Sequence, residues 1–317
     1  MKPRPKIVNS ISVEDFYNSF KEPLRLKLVA GQEGMKSVIR DRSVNRPSLC
    51  LAGSFKHFGA KRVQLFGAGD MGFMRELSQE RQQEILHEMV ARKIPCIIVS
   101  RNLVPSHVMF QVANKHGVPL LRSALTSHEF TTNAVLLMED KFAPCSSEHG
   151  TMMDVKGIGT LIRGGSGIGK SECALGLIEK GHSLVADDLV YIRLIKEIGL
   201  MARSSDLNRG YMECRGLGII NVADIFGVRA IRLEKKIDLV VSLIEWESDM
   251  AEERTGLDQS FYKILGTGVP EIQLTVRPGR DLAHLVEIAA MVHALKGIGH
   301  HGAQEFNDQL MQRMIKV

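Results

Sequence analysis

The chain has 317 residues, 44% of them hydrophobic and 24% charged, with a formal net charge of +5. That length suits two domains, and the composition is that of a globular protein rather than a disordered or collagen-like one. The mild charge comes without a basic run, and aromatics reach only 5% with a single tryptophan, Trp246, so nucleic-acid recognition is disfavoured.

Five scattered cysteines, Cys50, Cys96, Cys145, Cys173 and Cys214, form no C-x-x-C or Cys/His cluster. This argues against zinc and against a disulfide framework, and fits a reducing cytosol. The basic start Met1-Lys2-Pro3-Arg4-Pro5-Lys6 runs into Ile7-Val8-Asn9-Ser10 rather than an apolar stretch of roughly 7–15 residues, so no secretory leader is expected. No window approaches about 18 uninterrupted apolar residues, so no membrane span is expected and the predicted location is cytoplasmic.

In chain order, Ser12-Val13-Glu14-Asp15 predicts a capped helix start and Arg25 to Val29 a strand. A longer helix is expected from Ser78 through Val90, then a buried strand over Ile94-Pro95-Cys96-Ile97-Ile98-Val99. Another helix, from Ser106 to His116, stops at Gly117 and leads to Val118-Pro119-Leu120-Leu121. This alternation predicts an α/β layer domain with some parallel pairing over residues 1–140. A helix over Ser127–Asp140 precedes Lys141-Phe142-Ala143-Pro144-Cys145-Ser146-Ser147, expected as a linker. The second domain is expected over 148–317, rich in strands up to Ile244. It closes with a helix from Asp281 to Lys296, whose predicted apolar face is Leu282, Leu285, Val286, Ile288, Ala289 and Val292, and a short helix over Glu305–Met314.

Gly164-Gly165-Ser166-Gly167-Ile168-Gly169-Lys170-Ser171 fits G-x-x-x-x-G-K-[ST] at every fixed position. Thr160-Leu161-Ile162 before it reads as a buried strand, and Ser171 to Leu175 opens a helix. Glycines let backbone N–H groups turn around a phosphate chain at a positive helix end. Lys170 is placed to reach the β- and γ-phosphates of a nucleoside triphosphate and Ser171 to hold Mg²⁺. Downstream, Asp187-Asp188 follows a helix closed by Gly181 and a strand over Ser183-Leu184-Val185-Ala186. Adjacent strand residues point to opposite faces, so the two carboxylates are expected to play separate parts, in metal binding or proton transfer. The plain alternative is a solvated turn. Their early position hints at a sheet topology unlike that of many P-loop proteins.

Four blocks together resemble the bacterial HPr kinase/phosphorylase family. They are Glu148-His149-Gly150 through Gly159; the glycine loop through Asp188; Met212-Glu213-Cys214-Arg215-Gly216-Leu217-Gly218-Ile219-Ile220-Asn221, similar to the family signature; and Thr275-Val276-Arg277-Pro278-Gly279-Arg280 with the helix beyond. In the first half the likeness is carried mainly by Arg62-Val63-Gln64-Leu65-Phe66-Gly67.

The resemblance implies a C-terminal P-loop kinase domain similar to phosphoenolpyruvate carboxykinase, and an N-terminal α/β domain with a regulatory or assembly role. It implies ATP-dependent phosphorylation of a serine on HPr, the small phosphocarrier of the sugar phosphotransferase system. The reverse reaction uses inorganic phosphate and releases pyrophosphate, and the assembly is a homo-oligomer, a hexamer. It assigns Asp188 as general base, with Asp187, His149, Lys170 and Arg254 as further catalytic residues. Glu213 joins Ser171 as a Mg²⁺ ligand, and residues 275–280 serve dephosphorylation. Cys214, and Ala223-Asp224, depart from the family's usual aliphatic residues without removing a catalytic group. Two other readings stay open: a small-metabolite kinase on the same scaffold, and a non-enzymatic ATP-binding regulator.

Overall fold

Apolar runs punctuated by glycine, proline and polar caps form two separate units, Ile7–Ala143 and Pro144–Val317. The structure, a computed structural model, describes residues 8–246 and 259–315.

The first unit starts with β1 (Ile11–Ser12), α1 (Val13–Phe20), β2 (Leu26–Ala30), β3 (Val38–Ile39), β4 (Val44–Asn45) and α2 (Ser48–Leu51). It continues through β5 (Val63–Phe66), α3 (Ala68–Glu76), α4 (Gln79–Ala91) and β6 (Ile97–Val99). α5 (His107–His116), β7 (Leu120–Ser123) and α6 (Ser127–Lys141) complete it. The sheet order is β2-β7-β6-β5-β4, with β4 to β7 parallel and β2 antiparallel. β5 and β6 are buried at every residue, as central parallel strands covered on both faces must be. Leu65 and Ile98 pack with Phe16 and Phe130 on one face, while Phe66 and Val99 pack with Leu86 and Val112 on the other.

The helix starts follow cap chemistry. Ser12, Ser78 and Ser106 each accept a hydrogen bond from the backbone N–H three residues on, and Gly117 closes α5 at φ +60°.

The second unit opens with β8 (Cys145–His149), β9 (Thr151–Val155), β10 (Ile158–Gly164), α7 (Lys170–Glu179), β11 (Ser183–Ala186), β12 (Leu189–Ile195) and β13 (Gly199–Arg203). Next come β14 (Tyr211–Cys214), β15 (Gly218–Asn221), α8 (Val222–Phe226), β16 (Glu234–Lys236) and β17 (Leu239–Glu245). β18 (Ser260–Ile264), β19 (Thr267–Val276), α9 (Leu282–Gly297) and α10 (Gly302–Ile315) follow.

The break between the units, at Ala143/Pro144, falls inside residues 141–147, of which only 142–144 lie outside helix and strand. α6 runs to Lys141, and Cys145-Ser146-Ser147 start β8, whose small polar side chains suit its place at the edge of a sheet.

Three layers result. A six-stranded mixed sheet, β11-β9-β10-β17-β19-β18, carries α7 and α9 on one face. Its other face packs Leu161 and Val240 against Val190, Ile192 and Ala202 of the sheet β16-β13-β12-β8. β10 lies between antiparallel β9 and parallel β17, and β11 sits beyond β9. The strand after the loop helix thus crosses over β9 rather than pairing with β10.

α9 also differs from its expected face. Ala283, Val286, Ala289 and Ala290 are its buried residues, while Ile288 and Val292 stand 39% and 41% exposed. The helix approaches α7 so closely that a Cβ on Gly176 would lie 3.0 Å from the Ala283 methyl, a spacing that only small side chains permit.

No single helix among the described residues is long and apolar enough to cross a membrane; α9 and α10 pass that test only jointly, bent by 71°.

Candidate active site

β10 delivers the chain into the loop 164–171. A Cβ on Gly164 would lie 2.8 Å from both the Leu243 carbonyl oxygen and Ile168 Cγ2, so only glycine fits the exit from the sheet. Gly167 (φ +80°) and Gly169 (φ +102°) turn the loop, and Ile168 anchors it in the core beneath α7. α7 begins without a side-chain cap, which leaves its first N–H groups to the loop's concave side. Lys170 Nζ donates to the carbonyls of Gly164 at 3.1 Å and Gly165 at 2.7 Å, a position that holds its cation across the loop mouth.

Asp187 and Asp188 are not strand residues. They form the bend by which the chain leaves β11 in one sheet and enters β12 in the other, with Asp188 at φ +62° and Leu189 N–H donating to Asp187 C=O at 2.8 Å. Crossing between layers, rather than alternation along a strand, separates their environments. Asp187 is buried; its Oδ1 accepts from Thr151 Oγ1 at 2.7 Å and its Oδ2 from the Glu213 N–H at 3.3 Å. Burial raises the Asp187 carboxyl above the usual carboxylate range, against the lowering effect of these hydrogen bonds. The Asp188 side chain is 83% exposed, as is that of His149, whose Nδ1 lies 3.8 Å from Asp188 Oδ1. The β8–β12 register fixes this meeting: His149 faces Leu189, and Gly150 N–H donates to the Asp188 carbonyl at 3.0 Å.

The segment 212–221 is a hairpin, β14–β15. Met212 and Cys214 point into the core and Glu213 points out. Burial, with the Asp187 and Glu172 charges nearby, pushes the Cys214 thiol up, so this departure from an aliphatic residue still behaves as one. Asn221 caps α8 through the Ala223 N–H. Arg215 leans on the loop, its guanidinium 2.8–2.9 Å from where a Gly167 Cβ would stand.

Lys170, Ser171, Asp187, Asp188 and Glu213 line one open cleft together with Ser166, Gly167 and Gly169. His149 stands beside Asp188 rather than in the cleft lining. Residues 275–280 form the end of β19 and the turn into α9, also outside that lining. There Arg277 lies 4.9 Å over the Trp246 ring, and Arg280 donates to the Thr275 carbonyl at 3.0 Å. Arg254 lies outside the described residues.

Reading the sequence overlooked Thr151, which meets Asp187 only because β9 and β11 pair. Arg215 entered only as a member of the signature-like segment and Glu172 only as the residue trailing the loop, yet both line the cleft. No group of three or more His, Cys, Asp and Glu side chains among the described residues encloses a metal unaided. The oxygen donors facing the cleft, from Ser171, Glu213 and Asp187, suit a hard cation that keeps water and takes its remaining ligands from a substrate.

A glycine-framed helix start, a lysine and two carboxylates of unlike exposure are the equipment of a phosphoryl-transfer protein. Family models place this chain more narrowly: the HPr Serine kinase N terminus matches residues 11–137 and the HPr Serine kinase C-terminal domain residues 140–310. The chain belongs to the HPr serine kinase family. It is 41% identical over 305 residues to the HPr kinase/phosphorylase of Leptospira biflexa, covering 96% of this chain and 94% of that one. The HPr kinase/phosphorylase of Bacillus mycoides is 43% identical over 290 residues, covering 92% and 94%. The solved structure of the Hpr(Ser) kinase/phosphatase from Coxiella burnetii is 32% identical, with a TM-score of 0.46, and covers 51% of this chain and 98% of its own.

Proposed function

We propose that this chain phosphorylates a serine of HPr with ATP and removes that phosphate by phosphorolysis, releasing pyrophosphate. The reading rests on family membership and is carried by one observation: an exposed Asp188 shares a cleft with Lys170 and the turned glycine loop.

In the forward direction the loop N–H groups and the α7 start hold the triphosphate. Lys170 leaves the Gly164 and Gly165 carbonyls for the phosphate oxygens. Ser171 and Glu213 would hold Mg²⁺, which would offset the charge of the phosphates. Asp188 accepts the proton of the serine hydroxyl as that oxygen attacks the γ-phosphorus, and ADP leaves. His149 orients the Asp188 carboxylate. Asp187 fixes β14, and with it Glu213, through the Glu213 N–H.

In reverse, an oxygen of inorganic phosphate attacks the seryl phosphorus, the P–O bond to serine breaks and pyrophosphate leaves, while Asp188 passes the proton of the attacking phosphate to the serine oxygen. Arg277 and Arg280 hold the phosphorylated substrate, and Arg254 offsets charge on the transferring group. The three-layer second unit, with its mixed sheet and early carboxylates, supports a fold similar to phosphoenolpyruvate carboxykinase. Exposed apolar side chains such as Leu217, Ile219, Phe306 and Met314 support assembly as a homo-oligomer, read as a hexamer, in the cytoplasm. The first unit serves regulation or assembly.

The test is phosphorolysis. Seryl-phosphorylated HPr incubated with this protein, Mg²⁺ and inorganic phosphate should yield pyrophosphate and unmodified HPr in equal amounts. Release of inorganic phosphate alone, or no release, would contradict the reverse reaction.

A further inference from the structure

Behind the cleft lies a polar cluster for which the chemistry above has no use. Arg163, the last residue before Gly164, leaves β10 on the side facing the four-stranded sheet. Its guanidinium stacks 3.8 Å from the Tyr262 ring centroid, and its Nε lies 3.8 Å from Glu148 Oε2. The Tyr262 hydroxyl donates to the same Glu148 oxygen at 3.1 Å. Glu148 and Tyr262 are buried, 8% and 9% exposed, and the Arg163 side chain is 26% exposed. Directly opposite Arg163 on β17, Ser242 donates to Glu271 Oε1 at 2.6 Å.

Apolar side chains fill the same inter-sheet layer elsewhere, and a buried carboxylate costs stability unless a cation and donors face it. Arg163 and Tyr262 supply both. Their placement also matters for geometry. Glu148 precedes His149 on β8, and β8 is joined to the rest of its sheet on one side only. Arg163 precedes the loop. The cluster therefore adds a side-chain tie between the strand that presents His149 and the strand that launches the phosphate loop, which the backbone joins only indirectly, through Gly150 and the pairing of β9 with β10.

We propose that Arg163, through Glu148 and Tyr262, is a positioning residue that sets the distance from the His149–Asp188 pair to the glycine loop. The proposal rests on the phosphoryl-transfer reading of that cleft, though not on the identity of the acceptor. A misplacement of about 1 Å can cost on the order of 10²-fold in rate without touching a reacting group.

The test compares Arg163→Met, Glu148→Gln and Arg163→Lys in the full chain, with thermal melting to confirm folding. Two rates are read: transfer to HPr, and slow hydrolysis of ATP, which uses the loop and Asp188 but no protein acceptor. Arg163→Met and Glu148→Gln should each lower kcat about tenfold with KM for ATP changed less than about twofold. Arg163→Lys should recover most of the loss, and the Met/Gln double variant should be no slower than either single one. If either single variant destabilises the fold too far to assay, Tyr262→Phe, which removes only the hydroxyl, should still lower kcat a few-fold.

Unchanged kcat in folded variants would overturn the proposal, as would a rise in KM matching the loss, or additive losses in the double variant. Should the wild-type protein fail to phosphorylate HPr, the acceptor assignment falls, and the hydrolysis rates decide on Arg163 by the same criteria.

Discussion

Each unit contains a strand that ends in glycine and turns into a helix, and the two turns differ in what fills them. In the first unit β5 passes through Gly67 into α3, and Asp70 folds back over the helix start. Its Oδ2 accepts from the Gly67 N–H and from Arg46 Nη2, both at 2.7 Å, and its Oδ1 from Ser48 Oγ at 2.6 Å. Asp70 is 4% exposed. The positive end of α3 already holds an anion of its own chain. In the second unit β10 passes through Gly164 into α7, with a longer loop, no capping side chain and a lysine tied to loop carbonyls. The same strand–glycine–helix geometry is closed in one case and open in the other. Asp70 as against Lys170-Ser171 makes the difference.

Breaking the open turn should cost the most. Asp188→Asn removes the proton acceptor and should lower transfer to HPr about 10³-fold while leaving ATP affinity by calorimetry within about twofold. Retained transfer would remove Asp188 from the chemistry. Lys170→Met should lower kcat/KM for ATP on the order of 10²-fold, whereas Arg46→Met, at the closed turn, should leave both constants near wild type.

Breaking the closed turn should appear in stability instead. Asp70→Ala removes a helix cap and strands Ser48 and Gly67 donors, for a loss of about 2 kcal/mol in denaturant unfolding. Activity per folded molecule should not change.

The smallest expected effect is a pH trend. Asp187 has a raised folded carboxyl, so the native state holds its proton to higher pH than the unfolded chain does. Its contribution to stability is greatest at low pH and falls as pH rises through the window from the ordinary carboxylate range to the raised value. Asp187→Asn should therefore gain on wild type across that window, with a constant difference above it. A loss of stability by Asp187→Asn relative to wild type as pH rises through that window would reverse the assigned direction.

Local features were legible where the physics is local. The caps at Ser12, Ser78 and Ser106, the stop at Gly117 and the glycine loop need only neighbouring residues, and all stand where their spacing puts them. The bend at Asp187-Asp188 was misread as strand because the apolar run Ser183–Ala186 gives no sign that the chain changes sheets there. The edge strand starting at Cys145 was misread as linker, since an edge position accepts the small polar residues that also mark loops. α9 is apolar on more than one side, so periodicity selected Ile288 and Val292 where close packing on Gly176 selects alanines. Thr151 with Asp187, and Arg163 with Glu148 and Tyr262, are meetings of distant strands; no spacing along the chain encodes them.

The most direct test of the account is intact-mass spectrometry of HPr after incubation with Mg²⁺, ATP and either the wild-type chain or Lys170→Met. The account predicts a single phosphate increment, mapped to a serine, with the wild type, and a much slower increment with the variant. An unmodified HPr with the wild type, or equal increments with both proteins, would contradict it.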